Sequence, residues 1–163
     1  MNNKITALVA FLSIAALTAL DQLFKHLVIL HLKPVSSVTV IPGFLGLNYT
    51  ENTGAMMGMF RDSRTVLIIV SSVLVAALLY VLFSGRIKNR FYLFCLILIA
   101  SGGIGNMIDR IFRGFVVDFI EFLFVSFYVF NFADCLITVA CFLLIGYEIY
   151  LLFIKDRKGK KDA

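Results

Sequence analysis

Four long apolar runs decide what this chain can become. A helix that crosses a bilayer needs about 20 mostly apolar residues. Residues 5–20 carry no charge, and the pattern runs on through Asp21 and Lys25 to about Leu30. Residues 65–85 are uncharged, and so are residues 91–108, up to Asp109 and Arg110. The fourth run, 131–154, is interrupted by Asp134 and Glu148. Hydrophobic residues make up 61% of the 163 and charged residues 15%. A soluble domain is nearer about 45–50% and about 25%. An ordinary soluble enzyme and a disordered chain are therefore both excluded. The reading is one integral membrane domain over 1–163, mainly α. Its four transmembrane helices are expected at about 5–30, 65–85, 91–110 and 131–154.

The net charge of +5 fits cations placed at membrane edges and calls for no nucleic-acid partner. Lys4 precedes the first run; Arg86, Lys88 and Arg90 separate the second and third; Lys155, Arg157, Lys158, Lys160 and Lys161 follow the fourth. With four spans these regions share one side and hold 9 of the 15 Lys and Arg. The positive-inside rule then puts both termini in the cytoplasm, with 155–163 as a basic tail that anchors on anionic lipid. A cleaved signal peptide is the other reading of the first run. Its removal would leave three spans and divide the basic regions between two sides.

Two segments remain outside. Residues 33–64 hold an alternating stretch, then Pro42-Gly43, then a second apolar stretch, which reads as two short strands and a turn. Residues 111–130 are rich in Phe and Tyr, and aromatic residues gather at membrane interfaces. That segment reads as a short helix or loop on the outer leaflet.

An ionisable side chain in hydrocarbon is costly, so each one points to function until explained. Asp21 and Lys25 stand four apart on one face of the first helix, either lining a site or forming a structural ion pair. Asn106, Asp109 and Arg110 share a face near the end of the third, one turn after Gly102. The glycines 102, 103 and 105 suit close helix packing. Asp118 lies in the aromatic external segment. Asp134 lies at the outer start of the fourth helix, three residues after Asn131. Two carboxylates at one depth can share a proton and so activate water and protonate a leaving group. Two unrelated interfacial carboxylates are the alternative. Glu148 is 14 residues beyond Asp134, roughly 21 Å deeper at the helical rise, and belongs to the inner interface. His26 and His31 have no acid or Cys cluster around them, so no metal and no other cofactor are expected. Cys95, Cys135 and Cys141 suggest neither a disulfide framework nor a nucleophile.

These motifs together resemble those of lipoprotein signal peptidase (signal peptidase II), a bacterial membrane aspartic peptidase. The resemblance covers about residues 15–140. It is carried in order by Asp21-Gln22-x-x-Lys25, Asn52-Thr53-Gly54-Ala55, Gly102-x-x-Gly105-Asn106-x-x-Asp109-Arg110, Val117-Asp118-Phe119 and Phe130-Asn131-x-Ala133-Asp134. It implies removal of signal peptides from diacylglyceryl-modified prolipoproteins, by a cut just before the lipid-bearing cysteine. It implies four helices with a small external β-sheet cradle and a short external interfacial helix. Asp118 and Asp134 match the catalytic pair. Asn52, Gly54, Asn106, Arg110, Asn131 and Ala133 match residues lining the site. Asp21, Lys25, Gly102 and Asp109 match supporting positions. Met56 and Met57 depart from the small residue and aromatic common there in the family.

The expected setting is the bacterial cytoplasmic membrane, with the site near its outer face and the enzyme a monomer among membrane lipids. Arg110 either binds a substrate carbonyl or lipid ester, or pairs with Asp109 or Asp21. A small proton-coupled carrier and a non-enzymatic scaffold are the rival readings. The carrier would show internal repeats and broken helices, which the sequence lacks. The scaffold would tolerate loss of either aspartate.

Overall fold

The computed structural model describes residues 3–54 and 64–159, with side chains over 4–54 and 64–154. Ala55, Met56, Met57 and the side chains of the basic tail lie outside the described residues. The chain runs α1 (Asn3–His31), β1 (Ser37–Ile41), β2 (Leu45–Asn52), α2 (Arg64–Phe83), α3 (Arg90–Phe112), β3 (Val116–Phe122) and α4 (Phe132–Gly159). All four helices are long and apolar enough to cross a membrane. The fold is mainly helical, with one small sheet.

The packing follows from where the small and polar residues lie. Helix α3 is central and packs against α1, α2 and α4. Three of its glycines each face a different neighbour. A Cβ on Gly102 would meet the carbonyl of Ala133 on α4. One on Gly103 would lie 3.1 Å from Val75 of α2, and one on Gly105 would lie 2.5 Å from the Asp21 carboxylate of α1. The glycines therefore let three backbones close on one helix. Ala10, Ile14, Leu82 and Ala100 fill the contact of α1, α2 and α3, and Cys95, Leu98 and Ala140 fill that of α3 and α4. Helix α2 is the most apolar, with a mean hydropathy of 2.9 over its window. Its Ile69, Val70, Val73 and Leu74 are exposed, as suits a face turned to lipid.

The helix ends have local causes. Gly85 and Gly114 adopt positive φ of 70° and 88°, a region glycine enters without a Cβ penalty. Gly85 stops the chain two residues after α2, and Gly114 turns it from α3 into β3. Asn89 caps α3 by accepting from the Phe91 amide at 2.8 Å.

The expected strand pair is present as β1 and β2, joined through Pro42-Gly43. The aromatic segment differs from expectation. It forms neither helix nor loop over 116–122 but β3, which pairs antiparallel with β2 to complete a three-stranded sheet of order β1-β2-β3. Val116, Val117, Asp118 and Phe119 are all buried, so this strand is an interior element. Its partner strand is some 70 positions earlier by register (Thr50 opposite Asp118). The local aromatic content concealed that pairing. No short external helix occurs among the described residues.

The sheet sits at the end of the bundle where α1 and α3 finish and α2 and α4 begin. Arg64, the first residue of α2, donates to the carbonyls of Arg110 and Ile111 at 2.9 and 2.8 Å, closing the last turn of α3.

Candidate active site

Three fully buried charges lie beneath the sheet. The Lys25 ammonium donates to Asp21 Oδ2 at 3.0 Å, Asp109 Oδ2 at 2.9 Å and Asn106 Oδ1 at 2.9 Å. All three of its protons are thereby used. Arg113 pairs with the other oxygen of Asp109 and with Gln22 Oε1 at 2.9 Å. Two acids and two bases make the cluster neutral, which is what burial of charge demands. The ion-pair reading of Asp21 and Lys25 is thus realised, but with Asp109 as a third member. Asp109 and Arg110 do not pair. Adjacent helical residues diverge by about a quarter turn, so Asp109 enters the cluster and Arg110 leaves it.

Asp21 also reaches the fourth helix. Its Oδ1 accepts from the Ala133 amide at 3.0 Å, satisfying one of the free N–H groups of the first turn of α4. Asn131 caps the same turn. Its Oδ1 accepts from the Asp134 amide at 3.0 Å, and Asp134 Oδ2 accepts from the Asn131 amide at 3.3 Å. This is a reciprocal capping box, and it fixes the Asp134 carboxylate.

The two sequence-flagged aspartates meet through Asn131. Its Nδ2 donates to Asp118 Oδ1 at 2.6 Å and to Asn106 Oδ1 at 3.2 Å. Asn106 Nδ2 donates to Asp134 Oδ1 at 2.7 Å. Asn52, at the end of β2, donates from Nδ2 to Asp118 Oδ2 at 2.9 Å. Its Oδ1 accepts from the Gly54 amide at 3.0 Å. Each of the four carboxylate oxygens therefore receives a hydrogen bond. Asp118 is 2% exposed and Asn131 fully buried, so the bond between these two acts where water does not compete.

Burial pushes the Asp118 carboxyl up to about 6, and the negative charge of Asp134 adds to the rise. The amides of Asn52 and Asn131 and the Lys25 cation oppose it. Removing that like charge with Asp134→Asn is expected to bring the titration midpoint of Asp118 below about 6. The chemical shift of its carboxyl carbon in NMR reads this directly. An unmoved midpoint would mean that the two carboxylates are electrostatically independent.

Arg110 holds the rim. Its Nη2 donates to the Gly54 carbonyl at 3.1 Å and its Nη1 to the Asn106 carbonyl at 3.3 Å. Its Nε is buried with no hydrogen-bond partner among the described residues. An unpaired buried donor of this kind is costly unless something else uses it.

All of the residues flagged from the sequence converge here: Asn52, Gly54, Asn106, Arg110, Asp118, Asn131, Ala133 and Asp134, over Asp21, Lys25, Gly102 and Asp109. Glu148 is remote and exposed, accepting from Tyr92 Oη at 2.5 Å. Two further residues had been given no role. Gln22 donates from Nε2 to the Gly105 carbonyl at 3.1 Å and to Asp109 at 3.2 Å, and Arg113 completes the charge balance. The spacing of Asp109 and Arg113, one turn apart, was the available signal.

Fold and site define a multi-span membrane protein that holds two aspartates in one amide network at an end of its bundle. A family profile described as Signal peptidase (SPase) II matches residues 13–150. A lipoprotein signal peptidase of Chlorobium phaeobacteroides is 45% identical over 151 residues, covering 85% of this chain and 94% of the relative. One of Streptococcus thermophilus is 37% identical over 147 residues, covering 90% and 93%. A solved bacterial membrane enzyme superposes with a TM-score of 0.78 at 30% identity, covering 93% of this chain and 91% of that one. The chain belongs to the signal peptidase II family. It is a membrane peptidase, and its family removes signal peptides from prolipoproteins.

Proposed function

We propose that Asp118 and Asp134 are the catalytic pair of an aspartic endopeptidase. Its substrate is a diacylglyceryl-modified prolipoprotein, cut just before the lipid-bearing cysteine. The observation that carries this reading is Asn131, which donates from its side chain to one carboxylate and from its backbone to the other.

The resting site holds one proton between the two groups, because like charges so placed do not both ionise readily. One of the two aspartates holds that proton and the other is the base. The base takes a proton from water, and the resulting hydroxide adds to the scissile carbonyl. The proton on the other aspartate meets the developing oxyanion. The C–N bond then breaks as the departing nitrogen takes the proton that the base drew from water and the former oxyanion returns its proton to the acid, leaving a free carboxyl and a free amine.

We infer that both termini lie on one side, in keeping with the four candidate spans, and that this side is the cytoplasm, in keeping with the cation distribution. The aspartates then lie near the outer face. A lipid-modified cysteine with buried acyl chains brings the scissile bond to that height. The hydrogen-bond network of both aspartates closes within one chain, so a monomer suffices for the proposed chemistry.

Arg110 recognises substrate through its unpaired Nε and the flat guanidinium face. Arg110→Lys keeps the charge but loses the fixed fork of donors. It is expected to raise KM by roughly tenfold, the scale of one charged hydrogen bond of about 1.5 kcal/mol. Unchanged KM and kcat would remove Arg110 from recognition.

The test of the function is a gel-shift assay in detergent. The purified protein should shorten a diacylglyceryl-modified prolipoprotein, with or without a chelator. It should leave the same precursor intact when the cysteine carries no lipid. No cleavage by folded protein would overturn the substrate assignment.

A further inference from the structure

A second feature lies at the end of the bundle opposite the aspartates. An open recess of about 500 Å³ lies there between α1, α2, the turn after α2, and α3. Its apolar wall comprises Ala7 of α1, Leu82 and Phe83 at the end of α2, and Leu93 of α3. Lys88, from the turn between α2 and α3, and Arg90, the first residue of α3, also line it. Among the described residues no acidic side chain lines it.

Among the described residues the ion pairs involve Lys25, Lys33 and Arg113, so Lys88 and Arg90 remain uncompensated. Their neighbours in the turn are occupied. Arg86 lies over the Tyr80 ring at 5.7 Å. Asn89 caps α3 and donates to Tyr147 Oη at 3.2 Å. Cations anywhere in this turn would set membrane orientation; that role does not require a recess beside them.

The level of the recess is fixed by the helices. Helix α2 ends at Phe83 and α3 begins at Arg90, so Lys88 and Arg90 sit where spans meet the head-group layer. Two unpaired cations beside an apolar wall complement a phosphate that carries an acyl chain. A free phosphate would use the cations and gain nothing from the wall.

We propose that this recess binds one anionic phospholipid. Lys88 and Arg90 hold its phosphate, and the first part of an acyl chain lies on Ala7, Leu82, Phe83 and Leu93. The site is separate from the aspartates and does not depend on their role.

The test is native mass spectrometry of the whole chain released from lipid nanodiscs. Phosphatidylglycerol and phosphatidylcholine are offered to wild type, Lys88→Gln/Arg90→Gln and Arg86→Gln. Wild type and Arg86→Gln should retain one phosphatidylglycerol in preference to phosphatidylcholine. The double variant should bind it roughly 25-fold more weakly, since each basic residue near a lipid phosphate contributes about fivefold. The basic tail is common to all three proteins, so its general attraction cancels. Thermal unfolding in phosphatidylcholine reports folding of each variant, and the single substitutions serve if the double one is unstable. Equal retention by wild type and the double variant would overturn the proposal. So would displacement of the lipid by equimolar glycerophosphoglycerol, which would mark a soluble-anion site.

Discussion

Replacing Asp118 or Asp134 by Asn is expected to reduce prolipoprotein cleavage by at least about 10³-fold, within the usual range for a lost general acid or base. The protein should remain folded. Each carboxylate accepts one donor on each oxygen: Asp118 from Asn131 and Asn52, Asp134 from Asn106 and the Asn131 amide. An Asn offers one acceptor oxygen in the same shape, so one bond is lost, about 1 kcal/mol. Relief of like-charge repulsion opposes that loss. The double variant should be no slower than either single one, because the two groups act as a unit. The measurement is single-turnover cleavage, with thermal unfolding in the same detergent. An Asp134→Asn protein within tenfold of wild type would sink the dyad. Loss of activity accompanied by unfolding would show a structural role instead.

Lys25→Met should act through stability. It removes the one cation that contacts Asp21, Asp109 and Asn106 together. Arg113 still reaches Asp109, but Asp21 is left buried and unpaired. Breaking a buried pair on one side costs about 3–5 kcal/mol. For a chain of this size that lowers Tm by roughly 6–20 °C. Asp21 also holds the Ala133 amide, so its reorganisation should loosen the start of α4 and slow cleavage. Adding Asp21→Asn to Lys25→Met should recover a good part of the lost Tm by removing the stranded charge. A fall of less than about 2 °C in Lys25→Met would mean that the cluster is not a structural keystone.

The spans were legible because an uncharged run of membrane length has few other fates. Their ends were legible to within a few residues; Gly85 and Gly114 set two of them by a backbone geometry the sequence only hints at. Strand β3 was not legible. Its aromatic residues argue for an interface, while its true determinant is pairing with β2, a contact between residues far apart in the chain. The site divides in the same way. Asn131 and Asp134, three apart, were placed together at the start of the fourth helix by their spacing; their reciprocal capping came only from the structure. That Asp118 joins them depends on β3; the residues alone left the pairing of the two acids as one of two open readings, and the family resemblance favoured it. Gln22, quoted only as part of a motif, and Arg113, just past the end of α3, were given no role; the hydrogen bonds and the charge balance of the cluster reveal theirs.

The aspartate network draws on four separate elements: Asn52 from β2, Asn106 from α3, Asp118 from β3, and Asn131 with Asp134 from the start of α4. The last of these is also the last to leave the ribosome. A nascent chain with three helices inserted has Asp118 but neither its partner acid nor the amide that joins them. On the mechanism proposed above, such a chain is inert toward the lipoprotein precursors maturing around it. The site is thus complete only once the final helix has docked.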